Sequence, residues 1–294
     1  MQGTFDFDGQ GFSLRWILPL RMLVFPNAKL NLGLYITGQR PDGFRNLESV
    51  FVPLPWTDAL EVLPAPADSE TTLTLTGIPI PGEPATNLCL RAYELLKADF
   101  DLPPVQLHLH KVVPIGAGLG GGSGDAAFAL RALNDLFALQ LPSDTLENYA
   151  RRLGSDCAFF IQNKPVFAYE KGDVFEPVAL DLTGTACLVI YPSLHISTAE
   201  AYSRVQPRTP RHDLRTALRQ PLETWRDAIS NDFEEALTPH YPVLGEIKAQ
   251  LYEAGAAYAS LSGSGSAVYG LFPGLEMPPS LELPVEYQVW AGRL

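Results

Sequence analysis

Five glycines lie close together in one stretch of the chain, and their spacing suits phosphate binding. The stretch reads Pro114-Ile-Gly-Ala-Gly-Leu-Gly-Gly-Gly-Ser-Gly-Asp-Ala-Ala127, with those glycines at positions 116, 118, 120, 121 and 122. Glycine has no Cβ, so such a loop can turn its backbone N–H groups inward around an anion. Apolar residues then recur at helical steps from Ala126 to Phe137, and the positive end of that helix dipole would point at the same place. The stretch predicts a phosphate-binding loop, and a glycine-rich turn without a ligand is the alternative.

Two commoner phosphate motifs fit this stretch less well. A P-loop requires lysine and then serine or threonine after its last glycine, whereas Gly121 is followed by Gly122 and Ser123. A dinucleotide fingerprint, G-x-G-x-x-G, can be aligned from Gly116, with Asp135 at about the expected distance downstream. That acid should end a second strand, yet it lies inside the helical pattern. A nicotinamide-dependent oxidoreductase is therefore only a distant alternative.

The glycine stretch resembles the second motif of the GHMP kinases (galactokinase, homoserine kinase, mevalonate kinase and relatives), Pro-x-Gly-x-Gly-Leu-Gly/Ser-Ser-Ser. The segment 26–47, which contains Ala-Lys-Leu-Asn-Leu and Thr-Gly-Gln-Arg-Pro-Asp-Gly-Phe, resembles the first motif. Leu261-Ser-Gly-Ser-Gly-Ser-Ala-Val268 resembles the third. The three motifs stand in order, and the resemblance runs from about Met22 to the last predicted strand. Within the first motif, the segment Thr-Gly-Gln-Arg-Pro-Asp-Gly-Phe resembles the form found in family members that bind cytidine. This resemblance argues against a homoserine or mevalonate kinase.

Composition and charge limit the partners of the chain. Its 294 residues are 46% hydrophobic and 18% charged, which is typical of a globular protein. The formal net charge of −12 argues against nucleic acid as a partner. A glycine loop and one lysine can still bind a phosphorylated small molecule locally.

The sequence also predicts a cytoplasmic location. The three cysteines, Cys89, Cys157 and Cys187, form no C-x-x-C pair and are interpreted as buried reduced thiols. No apolar run approaches the roughly eighteen residues of a membrane span. Asp6 and Asp8 stand where a signal peptide would be basic. We therefore expect no membrane partner.

Strands mixed with helices, without strict alternation, predict an α+β fold. Helices are predicted at 87–98, from about residue 143 to Gly154, at 222–237 and at 243–254. Ser143 or Asp144 is expected to cap the second of these, and Gly154 to end it in a left-handed conformation. The resemblance implies the two-domain GHMP kinase fold, with a ribosomal protein S5 domain 2-like N-terminal domain and a ferredoxin-like C-terminal domain. The predicted division is an extension at 1–21, an ATP-binding domain at 22–163 and a C-terminal domain at 164–294.

The resemblance assigns the phosphate-transfer chemistry to two residues. Leu153-Gly-Ser-Asp-Cys-Ala-Phe-Phe-Ile161 resembles the family segment whose aspartate is the catalytic base, which makes Asp156 that base. Lys29 would lie beside it, favour the ionised carboxylate and offset charge on the transferring group. Mg²⁺ is implied by the charge of ATP, and Ser123 would lie near it. The residues expected to bind ATP are Pro114, Gly116, Gly118, Leu119, Gly120, Gly121, Gly122 and Ser123.

The resemblance also implies a pocket for the substrate. Asn31, Phe44 and Arg45 of the first motif would line it, and Tyr202 would form the opposite aromatic wall. The third motif would add Gly263, Ser264 and Gly265. Arg45 stands where the family has a histidine that reads the cytosine edge, and arginine offers only donors. Asp125 stands where asparagine is frequent, and a carboxylate there would repel phosphate unless it faces away or toward Mg²⁺.

Together these features predict an ATP- and Mg²⁺-dependent kinase of a small molecule. The implied substrate is a cytidine diphosphate-linked methylerythritol of the non-mevalonate isoprenoid pathway, and the implied assembly is a monomer or homodimer. One alternative is another GHMP kinase, of the homoserine or mevalonate type. The other is a nucleotide-binding sensor without catalysis, against which the retained Lys29 and Asp156 argue.

Overall fold

The computed structural model describes residues 21–294, which form three four-stranded sheets and nine α-helices within that range. The predicted extension therefore lies, except for Arg21, outside the described residues. The strands are β1 Met22–Val24, β2 Asn27–Gln39, β3 Arg45–Thr57, β4 Ala59–Pro64, β5 Thr72–Gly77, β6 Val105–Lys111, β7 Val166–Tyr169, β8 Val174–Pro177, β9 Ala186–Tyr191, β10 Tyr258–Leu261, β11 Val268–Phe272 and β12 Gln288–Arg293.

Helices lie between these strands. They are α1 Leu88–Asp99, α2 Gly121–Leu136, α3 Ser143–Leu153, α4 Phe159–Gln162, α5 Thr198–Arg204, α6 Leu214–Ala217, α7 Trp225–Ala228, α8 Asp232–Leu237 and α9 Pro242–Glu253. Asn87 begins α1 as an N-cap, because its side chain accepts a hydrogen bond from Cys89 N. Within residues 21–294, no helix combines the length and the apolar character needed to cross a membrane.

The first two sheets surround the segment that carries the glycine stretch. The first sheet has the order β1-β4-β6-β5 and packs against α1, α2 and α3. Alternation along β6 explains this packing, since Val105, Leu107 and Leu109 are buried and the residues between them are exposed. The second sheet has the order β2-β3-β7-β8. Because β6 leads directly to the glycine stretch and α2 follows it, the first sheet and α2 fix both ends of that loop.

The third sheet has the order β10-β11-β9-β12, and all its pairs are antiparallel. Counted along the chain this is the ferredoxin-like strand order, as predicted. The first crossover, between β9 and β10, contains helices α5 to α9. The second, at 273–287, contains no helix in the structure, which is a departure from the full ferredoxin-like pattern.

The second and third sheets share an apolar core. Buried side chains of β2 and β3, such as Leu30 and Val52, belong to the same cluster as Val189 of β9 and Tyr269 of β11. In addition, Tyr269 Oη donates a hydrogen bond of 2.7 Å to the carbonyl of Asn31 in β2. Strands β7 and β8 follow the predicted boundary at 163/164 and extend the sheet of β2 and β3. The division into 22–163 and 164–294 stays a prediction.

The predicted helix at 222–237 is wrong as one continuous element. The segment forms a 3₁₀ turn at Leu222–Thr224, then α7 and α8, with an extended residue, Ile229, between the two helices. The break follows from a tertiary contact, because Leu34 N of β2 donates to the carbonyl of Ser230 at 3.0 Å. Asn231 then caps α8 by accepting from Phe233 N.

The predicted ends of α3 also differ from the structure. Pro142 occupies the N-cap position instead of Ser143 or Asp144, and Asp144 Oδ1 accepts from Thr145 N at 2.8 Å within the first turn. Gly154, at φ 176 and ψ 160, is extended rather than left-handed. The turn that presents Asp156 is instead closed by hydrogen bonds from Cys157 N to Gly154 O and from Phe159 N to Asp156 O, both 3.2 Å.

We expect Asn231→Ala to destabilise the fold strongly. The amide of Asn231 is buried and donates to the carbonyls of Leu261 and Gly263, each at 2.9 Å. Its loss leaves these carbonyls and the start of α8 without partners, so the free energy of unfolding should fall by about 2–4 kcal/mol in urea denaturation. Asn148→Ala, on the exposed face of α3, is the matched control and should change it by less than about 0.5 kcal/mol. Equal effects of the two changes would contradict the interpretation.

Candidate active site

The glycine stretch forms a thin wall between two cavities. The first cavity has a volume of about 360 Å³ and the second of about 560 Å³. Gly116, Gly118 and Gly120 line both of them. The two cavities therefore adjoin at these three glycines.

The first cavity contains most of the residues predicted to bind ATP. Those that line it are Pro114, Gly116, Gly118, Gly120, Gly121, Gly122 and Ser123. Leu119 does not line it, because its side chain is buried and its carbonyl accepts from Lys29 N at 2.9 Å. Apolar residues, among them Leu75 and Ile80, line the side away from the loop. The cavity thus offers an apolar region next to a loop rich in backbone N–H groups.

Positive φ angles explain why the loop needs glycine. Gly116, Gly118 and Gly120 have φ of 68°, 78° and 69°, a region that L side chains rarely adopt. Gly118 also lies so close to the third motif that an added Cβ would be 1.9 Å from the carbonyl oxygen of Ser262. In turn, Ser262 Oγ donates to Gly118 O at 2.9 Å. The second and third motifs are therefore in direct backbone contact.

The third motif forms a tight loop between β10 and β11. Ala267 N donates to Ala117 O at 3.0 Å, which adds a second contact to the glycine stretch. Gly263 and Ser264 line the second cavity, as predicted for substrate-binding residues. Gly265 does not line it, and its N–H donates instead to Ser262 O at 2.9 Å. Gly265 therefore shapes the loop.

A buried lysine lies beside a half-buried carboxylate in the second cavity. Lys29 is 3% exposed, and its Nζ lies 3.3 Å from Oδ2 of Asp156 and 4.6 Å from the ring centroid of Phe51. Lys29 Nζ also donates to Oδ1 of Asn31, whose amide donates to Ser49 Oγ at 2.9 Å. These contacts hold the ammonium next to the carboxylate. Asp156 itself keeps 31% of its side chain accessible, so it can meet a ligand.

The aromatic residues predicted to hold a base line the same cavity. Phe44, in the turn between β2 and β3, is 55% exposed, and Tyr202 belongs to α5. Burial raises the pKa of Tyr202 to about 12, and the negative charge of Asp156 adds to the effect. Tyr202 packs edge-on against Phe233, with ring centroids 5.0 Å apart. The structure thus brings Phe44, Arg45, Tyr202 and the Lys29–Asp156 pair to one cavity.

Lys171 also lines the second cavity, and the sequence analysis missed it. It lies in the turn between β7 and β8, with Nζ 5.3 Å from the ring centroid of Phe44 and 3.2 Å from Oδ2 of Asp173. The Lys-Gly-Asp segment predicts only a turn. No local signal connects it to Phe44, because the two meet only when β7 joins the sheet of β2 and β3.

Three buried charges hold the two ends of the glycine stretch. Lys111, the last residue of β6, donates to Asp58 Oδ2 and, at 2.7 Å, to Asp125 Oδ2 in α2. Asp58 also accepts from Val112 N and Val113 N, at 2.6 and 2.8 Å. Burial raises the pKa of Asp125 to about 7, although Lys111 opposes this shift. One carboxylate oxygen of Asp125 thus bonds to Lys111. This ion pair reduces the repulsion that a carboxylate at the start of α2 would exert on a bound phosphate.

No group of three or more His, Cys, Asp or Glu residues in the described part of the chain could hold a metal ion. Mg²⁺ generally keeps several waters and is bound largely by nucleotide phosphates, so its presence stays a prediction from the charge of ATP. Ser123 lines the first cavity at the start of α2, and its hydroxyl lies beside the thiol of Cys157. The contact of Ser123 with such an ion stays a prediction.

Comparison with known proteins identifies two matching family domains and several similar sequences. The GHMP kinases N terminal domain matches residues 87–164, and the GHMP kinases C terminal domain matches residues 214–279. A 4-diphosphocytidyl-2-C-methyl-D-erythritol kinase of Bacteroides thetaiotaomicron is 48% identical over 93% of this chain and 100% of its own length. The kinase of the same name from Cytophaga hutchinsonii is 50% identical over 85% of this chain and 92% of its own length.

Solved structures agree with these matches. The crystal structure of a 4-(cytidine 5'-diphospho)-2C-methyl-D-erythritol kinase superimposes with a TM-score of 0.76 at 30% identity, covering 92% of this chain and 98% of that chain. A homoserine kinase from Cytophaga hutchinsonii has a TM-score of 0.67 at 15% identity, covering 94% and 96%. The second likeness shows the fold alone, and together they confirm the predicted fold class.

We expect Gly118→Ala to damage the loop while Gly122→Ala does not. The first change adds a methyl group 1.9 Å from Ser262 O at a positive φ, whereas a Cβ on Gly122 meets nothing within 4 Å. Gly118→Ala should lower the free energy of unfolding by about 2–4 kcal/mol, because either the loop or the third motif must move. Gly122→Ala, inside α2, should be neutral or stabilising by up to about 1 kcal/mol. Thermal and urea denaturation check both, and similar values would contradict the close contact.

Proposed function

The chain belongs to the GHMP kinase family, and we propose that it transfers phosphate from ATP to the 2-hydroxyl of 4-diphosphocytidyl-2-C-methyl-D-erythritol. This reaction belongs to the non-mevalonate route to isoprenoid precursors. The observation that carries the proposal is the Lys29–Asp156 pair, which lies on the far side of the three-glycine wall from the first cavity. A donor in the first cavity and an acceptor in the second would react where the two cavities adjoin, with the terminal phosphate on the side of Asp156.

ATP is the phosphate donor, and the first cavity is the place we assign to it. The N–H groups of the loop and the positive end of the α2 dipole favour its phosphates there. The apolar side around Leu75 and Ile80 suits a purine ring. Mg²⁺, contacted by Ser123, would neutralise charge on the phosphates when bound.

Asp156 acts as the general base in this proposal. It accepts the proton of the substrate hydroxyl while the hydroxyl oxygen attacks the γ-phosphorus, and the bond from that phosphorus to the bridging oxygen breaks to release ADP. Lys29 keeps Asp156 in place and stabilises negative charge on the transferring group. The burial of Lys29 strengthens both effects, since few water molecules can screen its charge.

The second cavity suits the cytidine end of the substrate. Phe44 and Tyr202 offer two aromatic faces for a base. Phe44 is exposed and could adapt its position, whereas Tyr202 is half-buried and packs against Phe233. Arg45 can donate to cytosine O2 or N3 but not to its amino group, because a guanidinium accepts no hydrogen bond. Lys171 adds a cation at the same end, where it can offset the charge of the diphosphate.

The alternatives from the sequence have weaker support. A homoserine kinase and a mevalonate kinase share the fold at 14–15% identity. Identity this low does not support the same substrate. A sensor without catalysis would not need a lysine held against a carboxylate that stays open to the cavity. Binding to small molecules and ATP follows from membership of the family, whereas the monomeric or dimeric state and the cytoplasmic location stay predictions.

We expect Asp156→Asn to abolish turnover and leave the binding of Mg-ATP nearly unchanged. Asparagine keeps the shape but cannot accept the hydroxyl proton, and the loss of a general base costs about 10²–10⁴-fold in rate. Steady-state kinetics and calorimetric titration with Mg-ATP measure the two quantities. Asp135→Asn, on the exposed face of α2, is the matched control and should alter neither. An equal loss of rate and of ATP affinity would remove the general-base role.

The substrate is tested by ADP release from the purified protein with Mg-ATP. Turnover is expected with 4-diphosphocytidyl-2-C-methyl-D-erythritol and not with methylerythritol 4-phosphate, homoserine or mevalonate. Turnover on another of these alcohols would keep the mechanism and overturn the substrate. No turnover on any of them would favour the sensor.

A further inference from the structure

The connection between β9 and α5 places a histidine on the wall between the two cavities. A Cβ added to Gly116 would lie 2.7 Å from Nδ1 and 2.8 Å from Cε1 of His195. The imidazole therefore covers the Cα of Gly116. Gly116 lines both cavities, so the ring lies one residue away from each of them, although His195 itself lines neither.

The backbone on both sides of His195 is held in place, while its ring is free to bind. Ser266 Oγ donates to the carbonyl of Leu194, Ser193 Oγ donates to the carbonyl of Glu286, and Ile196 is buried in the core. Within residues 21–294, the side chain of His195 has no hydrogen-bond or ion-pair partner, and the residue is exposed. A fixed backbone with an unpartnered ring suits a side chain that meets a ligand.

The residues that line the first cavity supply little positive charge to bind a phosphate. Among the described residues that line it, Lys111 is the only lysine or arginine, and Asp58 and Asp125 neutralise it. Glu83 adds a further negative charge. Lys29, across the wall, is already engaged by Asn31 and Asp156. The binding of a triphosphate would thus depend on the backbone N–H groups of the loop and on the dipole of α2. A hydrogen-bond donor from another part of the chain could add to its affinity.

We propose that His195 donates a hydrogen bond to the terminal phosphates of the nucleotide bound at the glycine loop. It would be a phosphate-binding residue contributed by the part of the chain that forms the third sheet. The contact does not require a charged ring, since neutral imidazole retains one N–H donor. This inference rests on the proposed function, because it takes the first cavity as the ATP site.

Calorimetric titration with Mg-ATP, Mg-ADP and AMP tests the proposal. His195→Phe keeps a ring on Gly116 but removes both nitrogens, and His195→Asn restores an amide donor near the position of Nδ1. His195→Phe should raise the Kd for Mg-ATP about tenfold and leave the Kd for AMP within about twofold, because only the longer nucleotides reach the ring. His195→Asn should recover part of the loss. His240→Phe, at an exposed histidine after α8, is the control and should change neither value.

Three results would overturn the proposal. The first is an unchanged affinity for Mg-ATP in His195→Phe. The second is an equal loss for AMP and Mg-ATP, which would indicate a distorted loop. The third is a loss confined to 4-diphosphocytidyl-2-C-methyl-D-erythritol, which would assign the ring to the diphosphate of that substrate. Turnover by the unchanged protein is measured in parallel, so a wrong substrate assignment would appear there while the nucleotide titrations still decide the role of His195.

Discussion

The close contact between Gly118 and Ser262 is the constraint on which the site depends. It brings the backbone of the glycine stretch against the loop between β10 and β11, and the hydrogen bond from Ala267 N to Ala117 O fixes the same contact from the neighbouring residue. On the other side, Lys29 N is bonded to Leu119 O. The loop is thus clamped between segments that are far apart in the chain. A side chain at position 118 would break this contact, because a Cβ added there would lie 1.9 Å from Ser262 O.

Lys111 and Lys29 are both buried beside the glycine stretch, but they have different roles. Lys111 lies between two carboxylates that are almost fully buried, so the three groups hold the strand and helix at the ends of the loop. Lys29 lies between an amide and a carboxylate that is open to the cavity. A buried ion pair contributes little net stability, because desolvation offsets the attraction. Their value in this protein is therefore positional, and only the Lys29 pair includes a carboxylate, Asp156, that stays accessible.

Local patterns in the sequence predicted much of the fold and most of the site. Alternation predicted β6, helical spacing of apolar residues predicted α1, and three short motifs located the cavity residues because each motif is contiguous in the chain. The errors have nonlocal causes. The helix at 222–237 is interrupted because β2 bonds to Ser230, and Lys171 reaches the cavity only through the pairing of β3 with β7. The fold class and the kinase family are confirmed, whereas the roles of the individual site residues remain predictions.

In the proposed function, the turn between β2 and β3 keeps the residues that recognise the substrate apart from those that carry out the chemistry. Phe44 ends this turn and is exposed, and Arg45 begins β3, while Lys29 and Asn31 lie in the buried half of β2. A replacement at Phe44 or Arg45 disturbs neither the core nor the wall of glycines. An arginine in place of the usual histidine could therefore arise without a compensating change elsewhere. Such a hairpin lets a lineage alter what its enzyme recognises in single steps, with phosphoryl transfer intact throughout.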